Sequence, residues 1–377
     1  MRAQRRQWKV VFAALFATCG AARGEGVIAT SADVTSGVIA IANLDQQIAQ
    51  LGGEPNVVDL LLVRSRFLGD FEALDQASEL AEARCATRAD LLRRARTRSA
   101  VHRFADAFAD IAAATRLGAK ADETEAVRSS ILVATGRAAE VVPELEAGLA
   151  RQPGFASRSA LAGAYAAVGR LTEADDLYVA ALADLDTTSP FPYAWVYFAR
   201  GLMWSEQGKD GVRGEALYLE ALRYLPQFVT AAIHVAEVEA ARGQLASAIG
   251  RLERVVASSK EPEALALLGQ LHVRVGDSTS GRREIDLAQE RYEWLLARLP
   301  LAFADHGAEF FLGAGGDAEY AWALAKENLA NRPTERAFAL AIKAALAAGH
   351  VSEACNLVVR ARLAGRQVPE DGCRRPS

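Results

Sequence analysis

One residue type at one spacing constrains this chain more than anything else in it. With Gly169 as reference, the matching positions are Gly69, His102, Gly136, Gly169, Gly208, Gly243, Gly276, Gly316 and Gly349, separated by 33, 34, 33, 39, 35, 33, 40 and 33 residues. A recurrence on the order of 20–50 residues marks a stacked-repeat architecture, because one short unit cannot bury its own apolar face. The stretch LAGAYAAVGRLTEADDLYVAAL, Leu161–Leu182, shows the content of one unit. Leu161, Ala162 and Tyr165 lie at helical spacing before Gly169; Ala174, Leu177, Tyr178, Ala181 and Leu182 do so after it. Glycine accepts the left-handed backbone that commonly ends a helix, and Pro153, Pro226 and Pro333 fall 17 or 18 residues past their reference positions, where a second helix must stop. Each unit therefore reads as helix, short turn, helix, stop. Ala162, Ala174 and Ala181 are expected where the helices cross closely, with Tyr165 and Tyr178 filling the space beside them.

These residues resemble a known family. Leu161-Ala162-x-x-Tyr165 and Ala174-x-x-x-Tyr178 are similar to the L-G-x-x-Y and A-x-x-x-F elements of the tetratricopeptide repeat. Gly201, Trp204, Tyr218, Ala221, Leu222 and Pro226 look like a second copy, Ala321, Leu329 and Pro333 another, and Ala354 with Ala361 a last. The resemblance spans residues 55–364 and is strongest from 122 to 256; Asp186 departs from it, standing where the family often has proline. It implies an all-α, right-handed superhelical α-solenoid of about eight to nine helix-turn-helix units. Residues 25–54 form an N-terminal segment with a capping helix over Val38–Leu51, and residues 365–377 a tail. The two wide intervals are placed at an enlarged inter-repeat loop, Thr187–Pro192, and at a second helix lengthened by about two turns through Leu287–Pro300.

In that family the first helices of successive units line a concave groove that holds peptides or protein segments. The resemblance carries this role to Trp195, Phe198 and Leu202, then Thr230, Ile233 and Glu237, then Glu263 and Gln270, then Phe303, His306 and Phe310. The paired Asn and Lys with which one sub-type grips a terminal carboxylate are absent; Gly163, Leu202, Glu237, Gln270 and Phe310 stand there.

Little else speaks of chemistry. There is no H-E-x-x-H, G-x-S-x-G or G-x-x-x-x-G-K-[ST] motif. The glycines of FLGAGGDAEY, Gly313, Gly315 and Gly316, follow a helix rather than a strand and read as an inter-helix turn. The five histidines, at 102, 234, 272, 306 and 350, fall in separate units without metal-ligand spacing; Asp175-Asp176 and Glu261-Glu263 read as turns or exposed faces. No catalytic residue, cofactor or metal is expected.

MRAQRRQWK is basic and VVFAALFATCGAA after it apolar, with Ala22-Arg23-Gly24 as small residues, so residues 1–24 read as a signal peptide too short to span a bilayer. Arg5-Arg6 leaves the export route open, and Phe16 and Thr18 are poor flanks for a lipoprotein site at Cys19. Removing residues 1–24 takes five basic residues and no acids, moving the formal charge from −4 to −9, which argues against nucleic acid or anionic lipid as partner. The expected location is periplasmic or secreted, with no integral membrane span in the mature chain. In an oxidising compartment Cys355 and Cys373 can pair, and Cys85 reads as a small core residue. The expected function is a non-catalytic protein–protein interaction scaffold of the bacterial envelope; a solenoid-based cell-wall glycan-processing enzyme and a structural subunit of an envelope assembly are the alternatives.

Overall fold

The computed structural model describes residues 28–368. The segment read as a signal peptide, with Cys19, and Cys373 lie outside the described residues. Helix α1 (Gly37–Leu51) precedes nine helix pairs. Unit 1 is α2 (Val57–Leu68) with α3 (Phe71–Glu82), unit 2 is α4 (Arg88–Ala100) with α5 (Phe104–Arg116), and unit 3 is α6 (Ala121–Ala134) with α7 (Ala138–Arg151). Unit 4 is α8 (Phe155–Ala167) with α9 (Leu171–Ala183), unit 5 is α10 (Pro190–Leu202) with α11 (Gly211–Tyr224), and unit 6 is α12 (Val229–Ala241) with α13 (Leu245–Ser258). Unit 7 is α14 (Pro262–Arg274) with α15 (Ser278–Arg298), unit 8 is α16 (Pro300–Leu312) with α17 (Ala318–Asn331), and unit 9 is α18 (Glu335–Ala347) with α19 (Val351–Leu363). No strand occurs among the described residues. The chain is an all-α solenoid.

The corner inside each unit is held by a left-handed residue. Gly69, Gly136, Gly169, Gly243, Gly276, Gly316 and Gly349 all have positive φ, and His102, the one non-glycine in the series, has φ 58°. Gly208 departs from its expected part. Its φ is −73°, and the left-handed residue is Lys209, φ 53°. The cause is a π-helical turn, Met203–Gln207, which adds one residue to the end of α10. Corrected for this, two intervals are 40 residues long, Gly169 to Lys209 and Gly276 to Gly316. The first excess lies mostly in the first helix: Pro190 to Lys209 is five residues longer than Phe155 to Gly169, whereas Gly169 to Pro190, with the loop 184–189, is only two longer than Gly136 to Phe155. So α10 with its π-helical turn takes most of what was expected of a loop at Thr187–Pro192; the second excess makes α15 21 residues long.

Five residues past the corner every unit is closed by a buried, mostly small residue: Ala107, Val141, Ala174, Ala248, Ala321 and Ala354 are all fully buried. In units 5 and 7 glycine takes both sides of the crossing. A Cβ on Gly269 would sit 2.7 Å from the Gly281 carbonyl oxygen and 2.8 Å from Ile285, so α14 and α15 meet backbone to backbone. Ala162 and Ala181 are fully buried, and Tyr165 and Tyr178 pack beside them, as the spacing predicts.

Three expectations fail. Cys85 is exposed, in the loop after α3, rather than in the core. Asp175 is 6% exposed, because Arg200 and Arg213 at 2.8 and 2.7 Å and the Trp204 indole at 3.1 Å close over it. Glu261 is 8% exposed and caps α14 by accepting from the Ala264 N–H at 2.8 Å. Both carboxylates come from acid pairs that read as surface charge. Cys355 is disulfide-bonded, its partner lying outside the described residues.

Successive even-numbered helices touch along α2–α4–α6–α8 and again along α12–α14–α16–α18, whereas successive odd-numbered helices do not meet comparably. The even-numbered helices therefore form the inner, concave layer. The array also returns upon itself. The carbonyls of the corners Gly69, His102 and Gly136 accept from the side chains of Ser259 at 3.2 Å, Asn331 at 2.9 Å and Arg366 at 2.6 Å, 190 to 230 residues away. Phe71 packs edge-on against Phe303, and Phe67 against Phe228, with ring centroids 4.8 Å apart in each case. Residues of α2 and α3 share one core with residues of α15 to α19. At the chain's start, the Thr35 N–H donates to the Thr188 carbonyl at 2.8 Å and the Tyr224 hydroxyl to that of Ala29 at 2.5 Å.

Candidate functional site

The inner face of units 5 to 9 is where side chains from the most elements converge. Helix α10 presents Trp195, Phe198 and Leu202, each half-buried. Trp195 stands edge-on to Tyr178 at 6.3 Å, and Phe198 packs on Phe228 at 4.9 Å and on the His234 ring at 5.7 Å. The next helix inward, α12, buries Ile233 completely and turns its neighbour His234 to the face. His234 Nδ1 lies 2.8 Å from the exposed Glu237 carboxylate. Burial alone would lower the imidazole pKa; the hydrogen bond to Glu237, with the charges of Glu237, Glu263 and Glu206, reverses this and raises it.

From α14 come Glu263, half-buried, and Gln270, exposed. Across from them on α16, His306 Nδ1 is 3.9 Å from Glu263, and this pKa too is raised: burial opposes, and Asp305 and Glu263 prevail. Phe303 and Phe310 of the same helix are both 6% exposed, Phe303 against Phe71 of α3 and Phe310 against Tyr292 and Phe311. Glu309 pairs with Arg336 of α18 at 3.1 Å. Glu206, on the π-helical turn, adds its negative charge to the groups that raise the pKa values of His234 and Arg336. Beyond Arg336 lies an apolar depression of about 610 Å³ floored by Ala339, Leu340, Ile342 and Leu346, with Lys343 at its rim.

Of the residues expected to line a groove, Trp195, Phe198, Leu202, Glu237, Gln270 and His306 lie at the surface of the inner face, whereas Ile233, Phe303 and Phe310 pack within the protein. Sequence reasoning missed His234, Glu206 and Arg336. The signal for His234 was present, three residues before Glu237; the π-turn that aims Glu206 has none. Among the described residues no group of three or more His, Cys, Asp or Glu is placed to hold a metal ion. Nor is any helix among them long and apolar enough to cross a membrane.

No known family profile matches the chain, and no curated protein does. Several solved structures are similar to it. A chain of the APC/C hetero-tetramer Cut9–Hcn1 shares 15% identity at a TM-score of 0.44, over 82% of this chain and 61% of that one. Yeast Tom70 shares 14% at a TM-score of 0.33, over 85% and 88%. Human IFIT1, solved as a dimer with m7Gppp-AAAA, shares 12% at a TM-score of 0.41, over 88% of each chain.

Proposed function

We propose that the protein is a non-catalytic interaction scaffold of the bacterial cell envelope, holding an extended, positively charged protein segment on the inner face of units 5 to 9. One observation carries this: successive units 5 to 8 contribute the carboxylates Glu206, Glu237, Glu263 and Glu309, the second of them paired with His234, whose ring packs on the half-buried Phe198. Aromatic anchors ringed by polar groups concentrate binding energy, and complementary charge sets the partner's sign and raises its on-rate. A mature chain of formal charge −9 points the same way. The signal-like residues 1–24 and the disulfide at Cys355 support an oxidising, exported setting, and the Cys355–Cys373 pairing belongs to this reading.

The test is affinity capture from envelope extract, followed by direct titration with the captured protein's segment, comparing the natural chain with a Trp195→Ala/Phe198→Ala variant. Loss of about 2 kcal/mol of binding, roughly thirtyfold in Kd, is expected of a variant that keeps its helix content. Unchanged binding by the folded variant sinks the placement, and turnover of cell-wall glycan by the purified chain sinks the non-catalytic reading.

A further inference from the structure

Both 40-residue intervals fall where the array touches itself. The loop 184–189 receives the N-terminal segment through the Thr35–Thr188 bond. The added turns of α15 carry Arg291, paired with Glu72 of α3 at 2.6 Å, and Arg298, paired with Asp75 and Glu79 at 2.5 Å each. Tyr292 and Leu295 of those turns share a core with Leu61, Leu62 and Leu74. The added turns of α15 thus help to close unit 1 onto unit 7, while the loop before α10 holds the N-terminal segment. Between units 1–3 and units 6–9 the backbones of the inner layer approach least closely, at α8 and α10 and at α10 and α12, where large side chains such as Phe198 on His234 span the space. Unit 5 also holds the enlarged loop and the π-helical turn, so it is the natural hinge.

We propose that this seam is a latch: units 1–3 and units 6–9 part as two rigid blocks about unit 5, and protonation of His102 is the step that parts them. His102 stands at the centre of the three docked corners. Its carbonyl accepts from Asn331, its Nδ1 lies 3.1 Å from the Leu301 carbonyl oxygen, and its ring stacks on Phe104 at 5.3 Å. From α16 it faces Asp305 and His306, and from the α17–α18 junction Arg332, which itself pairs with Asp305 at 2.9 Å. On its own side Arg103 is occupied by Glu82 and Asp106. A second positive charge beside Arg332 in a closed, buried seam is unfavourable, and parting the blocks hydrates it.

Burial, with help from Arg332, pushes the His102 pKa down from 6.5 to about 4 in the closed form. The open form binds the proton more readily, so closure is fully supported above pH 6.5 and weakens as pH falls towards 4, where that support is gone. Of the seam carboxylates, Glu72 is held below the ordinary range by Arg291 in spite of burial, and Glu261, against the Gly69 corner, is pushed up to about 8 by burial, so that its protonation precedes that of His102 and favours the closed form.

The experiment is small-angle scattering of the full chain from pH 7.5 to 3.5, with helix content followed by circular dichroism. The radius of gyration is expected to rise between pH 6 and 4 while helix content holds, the closed-to-open ratio falling about tenfold per pH unit. His102→Gly keeps a left-handed corner like the others and removes the titrating ring; its expansion is expected at least one unit lower. Asn331→Ala removes the donor to the corner carbonyl, and its midpoint is expected to move up towards 6.5. Coincident curves for the natural chain and His102→Gly, or expansion that always accompanies helix loss, overturn the proposal. Should His102→Gly not fold, Asn331→Ala decides: a midpoint equal to that of the natural chain overturns it.

Discussion

In unit 2 the residue four before the corner and the residue eight after it are Arg98 and Asp110, joined at 2.9 Å; in unit 4 the same two places hold Tyr165 and Leu177. Around them, unit 2 ties Arg94, Arg98 and Arg103 to Asp110 and Glu82, while unit 4 packs Leu161, Tyr165, Tyr178 and Leu182 into the largest aromatic cluster. The backbone geometry is nevertheless shared: a left-handed corner and a fully buried alanine five residues on, Ala107 or Ala174. Unit 6 places Glu239 and Arg251 at these positions at 2.7 Å, unit 7 His272 and Glu284 at 2.6 Å, and unit 8 Leu312 and Leu324. The corner and the small residue at the crossing set the shape of the unit. In these five units the pair beside them is matched, polar to polar or apolar to apolar, whereas unit 3 places a buried Leu132 and an exposed Glu144 there, so matching matters where both members are buried.

The largest effect should come from mismatching that pair. His272→Leu alone leaves the 8% exposed Glu284 carboxylate with only the exposed Arg283 at 3.6 Å and should lower stability by about 3 kcal/mol in denaturant unfolding, whereas His272→Leu/Glu284→Leu should return to within about 1 kcal/mol of the natural chain. A double variant as weak as the single one breaks the equivalence between units. Next comes the crossing itself: Gly269→Ala drives a Cβ onto the Gly281 carbonyl and should lower stability by about 2 kcal/mol, with unit 7 losing amide-exchange protection first.

A smaller effect separates units 2 and 4 by pH. The hydrogen bond from Arg98 outweighs burial and holds the Glu82 pKa below its ordinary 4.5, so its contribution is complete above 4.5 and is lost as pH falls through the depressed value. Glu82 is a third exposed, so the effect should be under about 1 kcal/mol. Amide exchange should then show unit 2 loosening on acidification before unit 4, and simultaneous loosening would erase the distinction. Smallest of all, Lys209→Gly should raise stability by about 0.5 kcal/mol by relieving a left-handed lysine, with the melting temperature as the readout. A loss would mean that Lys209 is not the true corner of unit 5.

The units were legible because their signals are local. Corners need glycine, crossings need small residues, and an added two turns in α15 lengthen one interval visibly. The inner face was legible only in part. The expected register included Ile233, which the core takes, and passed over His234 next to it; on a helix packed on several sides, the face a residue turns to depends on its neighbours. Glu206 could not be assigned, because a π-helical turn shifts the rotation of everything after it without a distinctive composition.

The sequence by itself determined the repeat, the two-helix unit, the stops at proline and the stretch of the period in α15, but not the π-helical turn that stretches α10. Each is fixed by backbone sterics or packing within about one unit. Only the tertiary structure decided that Gly69, His102 and Gly136 dock on Ser259, Asn331 and Arg366, and that Phe303 is covered by Phe71. Superhelical closure is the sum of many small rotations between units, each set by the volumes at its own interface. A pattern that fixes every unit to within a few degrees still leaves that sum open, until the contacts that close it are made.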